Sequence, residues 1–176
     1  NLARSRFKTR HVEISPAGQD RIREAFGSEC VDPDAAIERA DVVILAVPDT
    51  AVGVVAAGLV PKLAAGTIVV ILDAAAPHAG HLPERADITY FVTHPCHPPI
   101  FNDETEAAAR ADHFGGIAAK QHIVNALMQG PEAHYALGEE VARAIWAPVM
   151  RSHRVTVEQM AILEPGLSET VCATLL

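Results

Sequence analysis

A chain of 176 residues can bury one substantial core or two small linked ones. About half of it is hydrophobic (49%) and a fifth charged (20%), and no run approaches the roughly 18 apolar residues of a membrane span, so a membrane protein built on spanning helices is excluded. The net charge of −8, with lysines and arginines scattered singly, leaves no footprint for nucleic acid.

Cys30, Cys96 and Cys172 are too few and too far apart for a disulfide framework or a cysteine-rich zinc module, which fits a reducing cytoplasm. Neither end has the pattern of a natural terminus. The chain opens on Asn1-Leu2-Ala3 without an initiator methionine and closes on Thr174-Leu175-Leu176 inside an apolar helical pattern, as expected of a fragment.

Residues 9–14 (TRHVEI), bounded by Ser15-Pro16, predict a buried strand. Ser15 then caps a helix with Pro16 at its first position and Gly27 after its end. Residues 30–31 predict a very short strand, and Asp32-Pro33 starts a one- to two-turn helix through Arg39. Residues 41–47 (DVVILAV) form an apolar run of the kind that helices cover on both faces of a parallel sheet. A turn at Pro48-Asp49-Thr50 leads to a helix to about Ala64, Gly66 precedes a strand at 67–72 (TIVVIL), and a further strand at 88–93 (ITYFVT) stops at HPCHPP.

This alternation specifies a doubly wound parallel sheet of the Rossmann type. From about Ala111 it ceases: residues 116–129, 132–147 and 155–176 all favour helix. The expected organisation is a partial Rossmann domain over residues 1–110, followed by an all-helical substrate and dimerisation domain over 111–176.

Candidate residues sit where such a sheet binds ligands. Glu13 ends the first predicted strand, where a Rossmann domain places an acid on the adenine ribose hydroxyls; a carboxylate there repels a 2′-phosphate and favours NAD over NADP. The glycine fingerprint would lie about 20 residues upstream, before Asn1. Val47-Pro48-Asp49 follows the strongest strand at its carboxyl end, the edge that meets the cofactor. Residues 93–104 (THPCHPPIFNDE) collect two histidines, a cysteine and carboxylates after another strand, a donor set that suits a divalent metal or marks a rigid proline loop. Lys120, behind Gly115-Gly116, is a candidate base for a substrate hydroxyl, or a solvated helix lysine. Glu158, Glu164 and Glu169 line the last helical segment, an exposed stripe or a source of metal ligands.

Taken together, AVPD after a strand, THPCHPPIFNDE, DHFGGIAAKQHIVNALMQGPE and VTVEQMAILEPGLSET resemble the D-apionate oxidoisomerase family, whose second domain is similar to the phosphogluconate-dehydrogenase type. The resemblance covers the chain from about residue 9 to its end. It implies NAD-linked oxidation of a branched sugar acid, D-apionate, followed by migration of a carbon group to give 3-oxo-isoapionate. It also implies a divalent metal, zinc or magnesium, on the reacting oxygens. On that basis His94 and Glu169 are the expected metal ligands, with His97 in reserve.

The five-residue gap from Lys120 to Asn125 departs from the four-residue spacing of the β-hydroxyacid dehydrogenases, which puts Lys120 as base in question. A plain hydroxyacid or phosphogluconate-like dehydrogenase without migration is the competing enzyme. An NAD-binding sensor that uses its helical part only to dimerise is the competing reading of another class. The apolar helix after Val155 calls for a covering partner, most simply a second copy in a homodimer.

Overall fold

The computed structural model describes residues 1–99 and 103–164. Its centre is a five-stranded sheet in which the strands lie side by side in chain order. β1 (Val42–Leu45), β2 (Ile68–Ile71) and β3 (Thr89–Pro95) are mutually parallel, as their uninterrupted apolar character predicts. β4 (Gln121–Gln129) then runs antiparallel to β3, and β5 (Val149–Arg154) runs parallel to β4.

Helices cover both faces. α1 (Pro16–Phe26) begins as expected: the Ser15 hydroxyl accepts from Gly18 N at 3.0 Å, Pro16 occupies the first turn, and Gly27 closes the helix in the left-handed region. α2 (Pro33–Ile37) repeats the device, with Asp32 accepting from Asp34 N. α3 (Asp49–Leu59) joins β1 to β2 and places Val52 and Ala56 against Val69, Ile71 and Tyr90 on one face. After the short turns α4 (Ala75–His78) and α5 (Ala107–Arg110), α6 (Ala133–Ile145) covers the opposite face, where Val141 and Ala142 meet Ile68, Val70, Phe91 and Ile123. α7 (Val157–Glu164) returns to the first face, with Met160 on Ala74, Val92 and Ala126. Among the described residues no helix is long and apolar enough to cross a membrane.

Three expectations require correction. Residues 9–14 are extended but join no sheet. Arg10 donates to the carbonyls of Ala35, Ala36 and Glu38 around the end of α2, a single backbone bond links Val31 N to His11 O, and Ile14 is exposed. For the same reason residues 30–31 form no strand: extended backbone becomes a strand only when a neighbour completes its ladder. The stretch 116–129, read as helix, contains β4, and residues 149–154, between the two later predicted helices, form β5. Buried Gln121, Ile123 and Asn125 alternate with half-buried His122 and Val124, a period of two that the run Ala126-Leu127-Met128 obscures. The sheet is therefore not parallel throughout, and it continues past residue 110.

Gly138 lets α6 lie close against the sheet. A Cβ there would lie 2.5 Å from the Phe91 ring, which is fully buried. Gly138→Ala forces helix and sheet apart, and we expect it to destabilise the protein by about 1–3 kcal/mol, measured as a lowered urea midpoint with an unchanged slope.

Candidate active site

Parallel strands end together, so the residues at or just past the carboxyl ends of β1, β2 and β3 gather along one edge. β1 delivers Val47-Pro48-Asp49, with Asp49 at the first turn of α3 and the Pro48 carbonyl accepting from Ala51 N at 2.7 Å. β2 delivers Asp73, whose Oδ1 accepts from Ala75 N at 2.7 Å and so opens α4. β3 delivers His94, largely buried, with Nδ1 2.9 Å from the Leu72 carbonyl and 3.5 Å from Asp73 Oδ2. A ring N–H donated to that carbonyl assigns the lone pair to Nε2.

Asp49, Asp73 and His94 share one field. Burial pushes the Asp49 carboxyl above its usual range, the neighbouring charge of Asp73 pushes it further, and His94 opposes both. His97 stands beside this group: its ring meets His94 edge to face with centroids 6.5 Å apart, and its Nδ1 lies 3.0 Å from the Phe114 carbonyl.

The antiparallel turn at β4 brings a second stretch of chain to the same edge. Pro95 is the register partner of Ile123, and Cys96 N donates to His122 O at 2.9 Å, so Lys120, just ahead of β4, lies beyond the end of β3. Lys120 is exposed and stands in a strand lead-in, and among the described residues its ammonium forms no ion pair. The helical placement that motivated it as a base is overturned.

The segment before it is held by Asp112. One carboxylate oxygen accepts from three consecutive amides, Ile117 N at 2.9 Å, Ala118 N at 2.8 Å and Ala119 N at 3.1 Å. Gly115, at φ +78°, lies so close to the Gln121 side chain that no Cβ would fit.

Glu13 closes on its own helix. Its Oε1 accepts from Ser15 N at 2.8 Å, and its side chain lies against Gly18. Of the remaining expected residues, Glu158 is exposed in the first turn of α7, and Glu169 lies outside the described residues. The structure thus brings together Asp49, His94 and His97, and adds Asp73 and Asp112, which the sequence pattern did not single out. The signal for Asp73 was present: it is the acid directly after the apolar run TIVVIL, where Asp49 follows DVVILAV.

Among the described residues no three His, Cys, Asp or Glu side chains converge as a metal site. His94 and Asp73 offer an imidazole and a carboxylate, the donor types zinc accepts, but do not complete a shell.

The architecture is that of the NAD-binding, Rossmann-type oxidoreductases. A semialdehyde dehydrogenase NAD-binding protein from Cupriavidus necator, solved with calcium and NAD, superposes with a TM-score of 0.95 at 61% identity, over 99% of this chain and 63% of that one. An NADH-preferring ketol-acid reductoisomerase from an uncultured archean shares the fold alone, at 16% identity and a TM-score of 0.67 over 92% of this chain and 48% of that one.

Within that class, the resemblance to the D-apionate oxidoisomerases is borne out along the whole chain. A protein of that name from Rhizobium rhizogenes is 71% identical over all 176 residues, and one from Blautia hydrogenotrophica is 43% identical over the full chain. Residues 102–176 match the C-terminal family of decarboxylating phosphogluconate dehydrogenase. The chain spans 64% of the length of the first of these relatives and 62% of the second.

Burial alone would raise the Asp112 carboxyl, but the amides of Ala118, Ile117, Ala119 and Gly115 outweigh it and hold the group below its ordinary range. A depressed folded value contributes stability above the unfolded pKa of about 3.9, and that stability is lost as pH falls through the folded value. Urea unfolding of Asp112→Asn and the unsubstituted protein should differ most at neutral pH and converge as the pH drops below about 4.

Proposed function

We propose that the full-length protein oxidises a branched sugar acid with NAD and then shifts a carbon group to the adjacent centre, converting D-apionate to 3-oxo-isoapionate. The observation that carries this reading is the meeting of Asp49, Asp73 and His94 at the carboxyl edge of β1, β2 and β3, in a chain 71% identical to a protein named for that reaction. Hydride leaves the carbon next to the carboxylate for the nicotinamide, and the proton of its hydroxyl needs an acceptor. His94, with Nδ1 anchored on the Leu72 carbonyl beside the Asp73 carboxylate, is built to take that proton, and Asp73 stabilises the imidazolium that results.

The second step moves the electron pair of a carbon–carbon bond from the tertiary alcohol carbon to the new ketone carbon. The tertiary hydroxyl loses its proton as it becomes a ketone, and the former ketone oxygen gains one. An imidazole that has just accepted a proton supplies it there and receives the other.

Glu13 gives the preference for NAD over NADP, and Val47-Pro48-Asp49 forms the cofactor-facing edge. The other use of the His94 Nε2 lone pair is as a ligand, with Glu169, of a divalent metal, zinc or magnesium, which would polarise the reacting oxygens in place of proton transfer to the imidazole. A plain NAD-dependent hydroxyacid dehydrogenase would need only the first step. The protein is proposed as a homodimer in which a second copy covers the apolar segment that α7 begins, where Ile162 and Leu163 are exposed.

The test is NADH formation by the full-length protein given D-apionate and NAD, with the product identified by NMR before and after chelation. The rearranged 3-oxo acid is expected; an unrearranged or decarboxylated product overturns the migration step in favour of the simple dehydrogenase. Activity lost on chelation and restored by zinc or magnesium supports the metal, and activity indifferent to it removes the metal. His94→Gln should lower kcat/KM by about 100-fold or more. Light scattering at low micromolar concentration should return twice the protomer mass, and a monomer mass would end the dimer reading.

A further inference from the structure

One cluster on the sheet takes no part in these proton transfers. Register partners share a sheet face, and β4 pairs His94 with Val124 and Val124 with His153, while His122 pairs with Arg151 one step along. His94, His122, Arg151 and His153 therefore occupy the same face. His94 and His153 are two strand spacings apart, roughly 10 Å.

Within the cluster, His153 Nε2 and His122 Nδ1 are 2.9 Å apart, with ring centroids 4.9 Å apart. One of these nitrogens carries the shared proton. In either arrangement the neutral pair presents one outward ring N–H, from His122 Nε2 or from His153 Nδ1. Neither nitrogen has a hydrogen-bond partner among the described residues.

Burial, His153 and the nearby guanidinium of Arg151 together disfavour a charge on His122. Arg151 makes no ion pair among the described residues, whereas Arg154, three residues on in the same strand, is clamped by both carboxylate oxygens of Glu132 and stacks over Tyr135. In a chain of net charge −8, a guanidinium and two imidazoles thus stand together with no carboxylate paired to them among the described residues. A cation would be repelled there. An anion would accept the guanidinium fork and the outward imidazole N–H at once.

We propose that His122, Arg151 and His153 form a binding site for the carboxylate of a small hydroxy acid, and that this site fixes the acid end of the substrate while its hydroxyls reach toward His94. The inference rests on the sugar-acid reading for the identity of the ligand and on the sheet register for its place. The three residues are positioning and specificity residues. The proton transfers remain with His94.

The test uses the full-length protein with its histidine ring signals followed by NMR as D-apionate, or the neutral sugar D-apiose, is added. D-apionate should shift the His122 and His153 rings saturably and D-apiose should not. Arg151→Gln should abolish the shifts, raise KM for D-apionate at least about tenfold with a smaller change in kcat, and leave NAD binding, read by fluorescence, unchanged. Arg151→Lys should recover part of the affinity as a charge without the bidentate fork.

Wild-type turnover with KM unaltered in Arg151→Gln overturns the site while leaving the enzyme reading intact. Ring shifts with D-apionate but no turnover overturn the enzyme reading and support the site. Equal shifts with D-apiose, or none with either ligand, also overturn the site.

Discussion

The antiparallel pairing of β4 with β3 is the constraint on which the rest depends. Three parallel strands can collect only the residues at or just past their carboxyl ends, here Asp49, Asp73 and His94. Reversing the next strand brings an amino end to the same edge, so that the lead from Asp112 to Lys120 and the first residues of β4 join them. The ladder Thr93–Asn125, His94–Val124, Pro95–Ile123 fixes which face each side chain takes, because a slip of one residue would exchange every inward and outward group. On the opposite face the same register places Asn125, which donates to Ser152 Oγ at 2.7 Å, beside Thr93, which accepts from Trp146 Nε1. Polar groups inside the sheet thereby help to define its pairing.

The loop ahead of β4 is organised differently. Residues 113–119 contain no regular hydrogen-bonded element, yet three of their amides converge on a single oxygen of Asp112. A buried carboxylate is tolerable only when its lone pairs are satisfied, and consecutive amides satisfy them without a cation. The fold thus holds a segment beside the candidate site through one side chain.

Much of this was legible in the sequence wherever local chemistry and tertiary structure agree. Ser15-Pro16, Asp32-Pro33 and Gly27 act through their own backbone and marked the ends of α1 and the start of α2 correctly. The apolar runs of β1, β2 and β3 need no partner to be recognised. The parts that escaped depend on a neighbour. Residues 9–14 have strand character but no ladder to enter, and β4 carries strand periodicity under a composition of alanine, leucine and methionine that suits helix equally well. Among site residues, His94 and Asp49 were visible as groups at strand ends. Asp73 differs from them only in being a single acid before a run of alanines. The pairing of His122 with His153, 31 residues apart, is a product of register that no local pattern contains.

β5 is the last strand of the sheet among the described residues, and it carries Arg151, His153 and Arg154 along a short, largely exposed segment. An open strand edge is a template for any extended chain that reaches it, and basic side chains make a second copy of the same strand a poor match. The residues that give this border its chemistry therefore also discourage edge-to-edge growth of one sheet onto another, and neutralising them would remove that guard along with recognition.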